Sequence, residues 1–333
     1  MATCLFCLAL TMLSIPAWGQ APREQSAAAL ALVERAMSDS DIQAGNAAAF
    51  RLHAHFTVYY SGGKVENGHL LRIWAPDGLW HYEQSLGDYH RLEVSGGKEL
   101  WVASNLEYVP FPVFLVERAL GLPGELRAAS GRGLAEPFLS EATGEQCVRT
   151  ADGSEERKYC FNPQTGELQR LTDRVWNVTD EYSDYKPFGK KSFPHLIRVV
   201  REGGSAFIEI HIDTLEPLEE LDLRAFLPVK GSKEHHIASR CEGIERPKLE
   251  KMVQPQFPKK AEEAGLSGVV RLYAEIGTDG IPRGMWPINT SVPLLRDAAM
   301  EAVKRWRYRP QICIATGAKM TVVMPITVLF VSR

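Results

Sequence analysis

The sequence predicts an α+β protein of two domains: a large antiparallel sheet domain with helix, then a smaller unit of three strands and two helices. Three observations carry that prediction. Strand-length segments with period-two alternation, broken by Gly- and Asp-containing turns, dominate the chain before residue 231. A polar stretch without apolar periodicity, residues 232–247, reads as a linker. Beyond it the pattern runs short helix, hairpin, longer helix, strand.

At 333 residues the chain has room for about two domains of ordinary size. With 45% hydrophobic and 24% charged residues the composition is globular, and a formal charge of −3 gives no general pull toward nucleic acid.

The opening residues stand apart from the fold. The run CLFCLALTMLSIPAW carries no charge over 15 residues, short of the roughly 20 a spanning helix needs, and Ala17 and Gly19 suit a cleavage site. Residues 1–19 therefore read as a secretory signal peptide, although MAT lacks the usual basic residue. Export to the periplasm follows, and an uncleaved signal would leave the protein membrane-anchored. In an oxidising compartment the four remaining cysteines suggest disulfides. Cys147 and Cys160 flank the hairpin-like VRTADGSEERKY, and Cys241 and Cys313 are the pair left over. The alternative is four free, buried thiols.

The first domain spans residues 20–231. SAAALALVERAM (26–37) reads as a helix with Leu30, Val33 and Met37 on one face. In FRLHAHFTVYY (50–60) Phe50, Leu52, Ala54, Phe56, Val58 and Tyr60 alternate with polar residues, the signature of a sheet solvated on one side. SGGK, APDG, SLGD and a second SGGK punctuate an antiparallel meander. PFPVFLVERALGL (110–122) looks helical, with prolines at its start, and further strand pairs follow around NPQTG and GG. Aromatic residues of these segments (Trp74, Trp80, Tyr82, Trp101, Tyr108, Phe111, Phe114) read as core or as the lining of a groove.

One helix and a long run of antiparallel strands closing in DLRAFLPVKG resembles the LolA-like lipoprotein-carrier and lipoprotein-sorting class, over roughly residues 24–231. The resemblance implies an open half-barrel curled over a helix, with an apolar groove able to hold lipid.

The second domain covers residues 248–333. FPKKAEEAG is a short helix with Pro258 in its first turn; GVVRLYAEI and IPRGMWPI are strands joined by GTDG, which ends in Gly280. Ser291 caps a helix running to about Trp306, whose apolar face is Val292, Leu295, Ala299, Ala302, Val303 and Trp306. KMTVVMPITVLFV is the last strand, and Pro325 within it marks an edge, because proline cannot donate to a ladder.

The stretch AAMEAVKRWRYRP, ending at Pro310, invites a nucleic-acid or membrane reading. Helical spacing instead buries Trp306 and leaves Lys304, Arg305 and Arg307 on or beside the exposed face, where cations at a helix C-terminus are favourable. No stacking aromatics lie along a basic groove, so no nucleic-acid partner is expected.

Four landmarks in order make this domain resemble the C-terminal domain of the TonB family: QPQFP, GLSG leading into a strand–DG–strand hairpin, AAMEAVKRWRYRP, and the alternating last strand. The resemblance implies a three-stranded antiparallel sheet with two helices that takes an extended segment of an envelope partner, such as a TonB-dependent outer-membrane receptor, as an added strand. On that reading Gln254, Pro255 and Gln256, with Val322, Met324, Ile326 and Val328 of the last strand, contact the partner, while Trp306, Pro310 and Gly280 are structural. A full energy transducer also has a transmembrane anchor with a functional polar residue and a long Pro-rich spacer; here the apolar segment is short and a sheet domain replaces the spacer.

No catalytic signature is present: the sequence lacks G-x-S-x-G, a P-loop, H-E-x-x-H and a dinucleotide fingerprint. An enzyme and a cofactor are therefore not expected. His53 and His55 share a strand face and His235–His236 are adjacent, but without a carboxylate at ligand spacing no metal role is assigned to them.

Overall fold

The computed structural model describes residues 26–331 apart from 45–46, 98, 131–132, 151–156, 202–203, 237–240 and 290–292. The signal segment, the hairpin tip before Arg157, and Ser291 and Val292 of the C-terminal helix lie outside the described residues.

Helix α1 (Ala27–Ser40) precedes a meander of β1 (Phe50–Tyr59), β2 (Val65–Ala75), β3 (Leu79–Leu86), β4 (Tyr89–Gly96) and β5 (Leu100–Ser104). Helices α2 (Phe111–Leu120) and α3 (Leu122–Ser130) follow. Next come β6 (Phe138–Leu139), β7 (Gln146–Arg149), β8 (Arg157–Phe161), β9 (Leu168–Asp173), β10 (Val178–Phe188), β11 (Lys191–Arg201) and β12 (Ala206–Pro217). A short 3₁₀ turn leads to β13 (Lys233–His235), β14 (Ile244–Glu245) and β15 (Lys248–Lys251). The C-terminal unit holds α4 (Lys259–Glu263), β16 (Gly268–Ile276), β17 (Pro282–Pro287), α5 (Pro293–Val303), β18 (Arg307–Arg309), β19 (Gln311–Cys313), β20 (Lys319–Met320) and β21 (Val322–Phe330).

Thirteen strands form one open sheet in the order β13-β5-β4-β3-β2-β1-β12-β11-β10-β9-β8-β7-β6. The meander and the later strands join where β1 pairs antiparallel with β12. Along β1 Phe50, Leu52, Ala54, Phe56 and Val58 point inward and are at most 2% exposed, whereas His53 and Tyr59 face solvent. A one-residue slip would exchange the two sets, so burial fixes the register. Gly68 lies opposite Phe56, and a Cβ there would overlap the Phe56 ring.

Helices α1–α3 cover the inner face and share its core. Ser26 caps α1, its Oγ accepting from the Ala29 N–H at 3.2 Å. The buried face of α1 is Ala29, Val33, Ala36 and Ser40. The expected face is thus rotated: Leu30 and Met37 are only partly buried, because the small residues allow close approach to α3 and β11. Charge also ties the helices to the sheet. Arg118 on α2 donates to both oxygens of Asp180 at 2.5 and 2.7 Å. Arg157 reaches Asp173 at 2.9 Å and Glu125 of α3 at 3.2 Å.

The C-terminal unit has its own core. One face of the sheet β17-β16-β21 packs Val270, Leu272, Ala274, Ile276, Ile326, Val328 and Phe330 against Leu295, Ala299 and Val303 of α5. Trp306 belongs to this core, while Lys304, Arg305 and Arg307 are exposed. Gly280 holds a φ of +76°, and a Cβ there would overlap the Tyr308 carbonyl; its own carbonyl accepts from the Tyr308 N–H at 2.9 Å. Pro310 is buried just beyond. Two small sheets, β15-β18 and β14-β19-β20, add to the three strands expected.

Residues 232–247, read as a linker, are paired near both ends. β13 extends the large sheet beside β5, and β14 pairs with β19. Backbone pairing requires no apolar period, which is why composition did not reveal it. Both expected cysteine pairs are joined: Cys147 to Cys160, direct cross-strand partners on β7 and β8, and Cys241 to Cys313 across 72 residues.

Candidate functional site

The first candidate surface is β21. Among the described residues it pairs with β16 alone and so forms one edge of its sheet. Pro325 stands directly opposite Tyr273. Having no N–H, it cannot take part in a doubly hydrogen-bonded pair, so its backbone faces away from β16. Alternation then turns the backbone N–H and C=O groups of Val323, Thr327 and Leu329 toward the open edge. The side chains of Ile326 and Val328 lie in the core, with Val322 and Met324 partly buried against it. The exposed apolar side chains at this end of the sheet are Val269, Leu329 and Val331.

Gln254 and Gln256 are exposed and Pro255 is half-buried. They are anchored on both sides. The Val253 carbonyl accepts from Trp306 Nε1 at 2.8 Å, and the Phe257 ring meets Phe330 of β21 edge-on at 5.6 Å. The QPQ segment is thereby held near the C-terminal end of the free edge.

The second candidate, the groove of the large domain, is largely filled. Tyr273 of β16 lies 5.0 Å from Phe111, 5.3 Å from Phe114 and 5.9 Å from Trp176. Trp286 of β17 lies 5.9 Å from Tyr60 and 6.1 Å from Phe207. Tyr273 Oη donates to the Val109 carbonyl at 2.7 Å, and the Val109 N–H donates to Glu275 at 2.9 Å. Arg283 pairs with Glu107 at 3.0 Å. The C-terminal unit is therefore docked on the inner face of the large sheet through the side of its own sheet opposite α5. The seam is imperfect: Arg201 Nη2 and Trp286 Nε1 are buried there with no hydrogen-bond partner among the described residues, although the Arg201 guanidinium stands 3.6 Å from the Phe207 ring centroid. An unsatisfied neutral group costs about 1–3 kcal/mol and a charged one more.

Of the aromatic residues expected to line a groove, Phe111 and Phe114 are covered in this way, and Tyr108 packs under Gly284. Trp101 sits on β5 opposite Val94. Trp74, Trp80 and Tyr82 line a remaining cavity of about 420 Å³ with Arg72, Glu93 and Glu117. Burial lifts the Glu117 carboxyl to about 7, with Glu93 adding to the lift, while the Gln84 amide at 2.5 Å and the cations Arg91 and Arg72 oppose it. The folded state then holds this proton more tightly than the unfolded chain. Stability is full below the ordinary carboxylate range and falls as pH rises toward 7. Glu117→Gln is expected to raise the melting temperature at pH 8 and barely change it at pH 4, the gain being at most on the order of 3 kcal/mol. Equal shifts at both pH values would contradict the buried-carboxyl account. Sequence reasoning missed Glu117, since nothing local shows that α2 turns it toward β3 and β4.

No curated protein matches the chain. Solved structures similar to its larger domain include an outer membrane lipoprotein-sorting protein domain from Vibrio parahaemolyticus, with 9% identity, 60% of this chain and 95% of that one covered, and a TM-score of 0.37. A LolA superfamily protein from Nitrosomonas europaea has 12% identity, coverage of 61% and 98%, and a TM-score of 0.38. A DUF1329 family protein from Desulfovibrio piger has 13% identity, coverage of 60% and 97%, and a TM-score of 0.41. Scores of that size carry no argument about function. The free-edged sheet with its QPQ segment is different, because residues 253–331 match the model of the Gram-negative bacterial TonB protein C-terminal family.

Proposed function

We propose that this is an exported, non-catalytic binding protein of the cell envelope. Its C-terminal domain takes an extended peptide of an envelope partner, of the kind a TonB-dependent outer-membrane receptor presents, as an added strand on β21. The observation that carries the reading is the edge of β21, unpaired among the described residues, with the Gln254–Gln256 segment anchored close to it through Val253 and Phe257. Backbone groups of Val323, Thr327 and Leu329 supply the hydrogen bonds. The side chains of Ile326 and Val328, buried in the core, and of Val322 and Met324, partly buried against it, keep the edge in shape. The two disulfides suit an oxidising compartment. Among the described residues no helix is long and apolar enough to cross a membrane.

Thr327→Pro tests this directly. It removes an outward N–H that the sheet itself does not use, so the fold should survive while capture of outer-membrane receptors from a solubilised envelope fraction is lost. Capture at the wild-type level by a folded Thr327→Pro chain would refute strand addition at this edge.

The aromatic cavity beside Trp74 and Trp80 favours a second reading, a lipid or lipoprotein carrier built on a half-barrel groove. The docked C-terminal domain covers most of that groove, so cargo larger than the cavity requires the two units to part. Native mass spectrometry of envelope-purified protein separates the readings: a bound lipid mass supports the carrier, and a clean apo mass counts against it.

A further inference from the structure

The outer face of the large sheet carries a row of imidazoles that neither reading uses. His211 on β12, His55 on β1 and His69 on β2 stand directly opposite one another across adjacent strands. The row continues through Ser85 on β3 to His90 on β4. Directly opposed residues share a face, and neighbouring strands are about 4.7–4.9 Å apart, so the three central histidines are neighbours on one face of the sheet.

The face is solvated, but contacts to one another and to a carboxylate order two of its rings. The His55 and His211 rings stack with centroids 4.9 Å apart and 5° between their planes. Asp213 Oδ1 lies 2.7 Å from His55 Nδ1. A carboxylate on one ring nitrogen orients the imidazole and leaves the other nitrogen as the ligand atom. His55 and His211 are 45% and 43% exposed, so their rotamers can adjust, and a groove of about 750 Å³ runs past His53, His69, His90 and Asp213. A bound cation would displace Glu209, 3.3 Å from His211 Nε2, and break the parallel stack of His55 on His211. Among the described residues the only donor group already converged is Glu145, Cys147 and Cys160, and its sulfurs are bonded to each other. For the histidine row to converge, exposed side chains have to rotate.

We propose that His55, His69 and His211 bind one divalent transition-metal ion, with Asp213 as the positioning residue on His55. Three neutral imidazoles suit Zn²⁺, Ni²⁺ or Cu²⁺ at metal–nitrogen distances of about 2.0–2.1 Å, whereas Mg²⁺ and Ca²⁺ require converging oxygens. Sequence reasoning assigned no metal role to His53 and His55, because the partners arrive from β2 and β12 and only strand register brings them together.

The test is a Zn²⁺ titration of the full mature chain, purified without a histidine tag and stripped of metal, by calorimetry and by competition with a chromophoric chelator. One ion per chain is expected, and excess Ca²⁺ should not compete. His55→Ala and His69→Ala should each weaken binding at least about tenfold, and Asp213→Asn by roughly 10- to 100-fold. His195→Ala, whose Nδ1 bonds to the Ile212 carbonyl instead, should leave the titration unchanged. Zn²⁺ binding that is absent, or equally tight in a folded His55→Ala/His69→Ala chain, would overturn the proposal.

Discussion

Trp306→Ala is expected to bring the C-terminal domain close to unfolding. The side chain is 6% exposed and packs in the core formed by α5, β16 and β21. Its Nε1 donates to the Val253 carbonyl at 2.8 Å, and its ring stands 6.4 Å from that of Tyr308. Truncation removes a large aromatic, leaves a cavity and orphans that carbonyl, a loss of about 3–5 kcal/mol. A domain has only about 5–15 kcal/mol in total. Two docked units need not melt as one, so the readout is hydrogen exchange at β16 and β21 together with thermal circular dichroism of the full chain. Arg305→Ala is the control. Its residue is exposed, with Nε donating to the Glu301 carbonyl at 3.3 Å, and its loss should shift stability by no more than about 0.5 kcal/mol. Unchanged exchange in Trp306→Ala would mean that KRWRYRP serves as an exposed patch and that the helix face is wrong.

Arg118→Ala should be comparably damaging to the large domain. Asp180 and Asp173 are fully buried, and Arg118 bridges them, 2.5 Å from the first and 3.7 Å from the second. Removing one partner of a buried pair strands the other charge, typically at a cost of about 3–5 kcal/mol. Asp173 keeps Arg157, so Asp180 bears most of the effect. Burial already lifts Asp180 to about 6 although Arg118 opposes the lift. Without Arg118 the carboxyl rises further, and the variant should gain stability as pH falls from 7.5 to 5, because the folded state then takes up a proton. Arg118→Met with Asp180→Asn should recover much of the loss, since replacing both charges leaves none unpaired. Urea unfolding of the single and double variants at both pH values tests this. A single variant as stable as the double at pH 7.5 would show that the bridge is not holding α2 to the sheet.

The two predictions bear on function through the same seam. Trp306 supports the sheet whose outer side, Tyr273 and Trp286, closes over α2, while Arg118 fixes α2 to β10 beneath them. Loosening either partner should expose the aromatic inner face, which the carrier reading requires and strand addition at β21 does not.

Local pattern alone determined several elements here. Period two along Phe50–Val58 sets which side of β1 is buried, and the spacing of Leu295, Ala299, Ala302 and Val303 sets the face of α5, because each depends only on backbone geometry within one segment. The order of QPQFP, GTDG, AAMEAVKRWRYRP and the last strand carried the TonB-type domain. The cysteine count limited the disulfides to few pairings. Other features depended on contacts between distant residues, which no window of sequence contains. Helix α3 was not anticipated: its position against α1 is a tertiary contact, and LPGELRAAS has a proline and a glycine near its start. Pairing of β1 with β12 sets His211 beside His55, and docking sets Tyr273 against Phe111. Whether the aromatic inner face is an open groove or a covered core was likewise decided by tertiary structure, since apolar side chains satisfy either environment until another surface arrives to bury them.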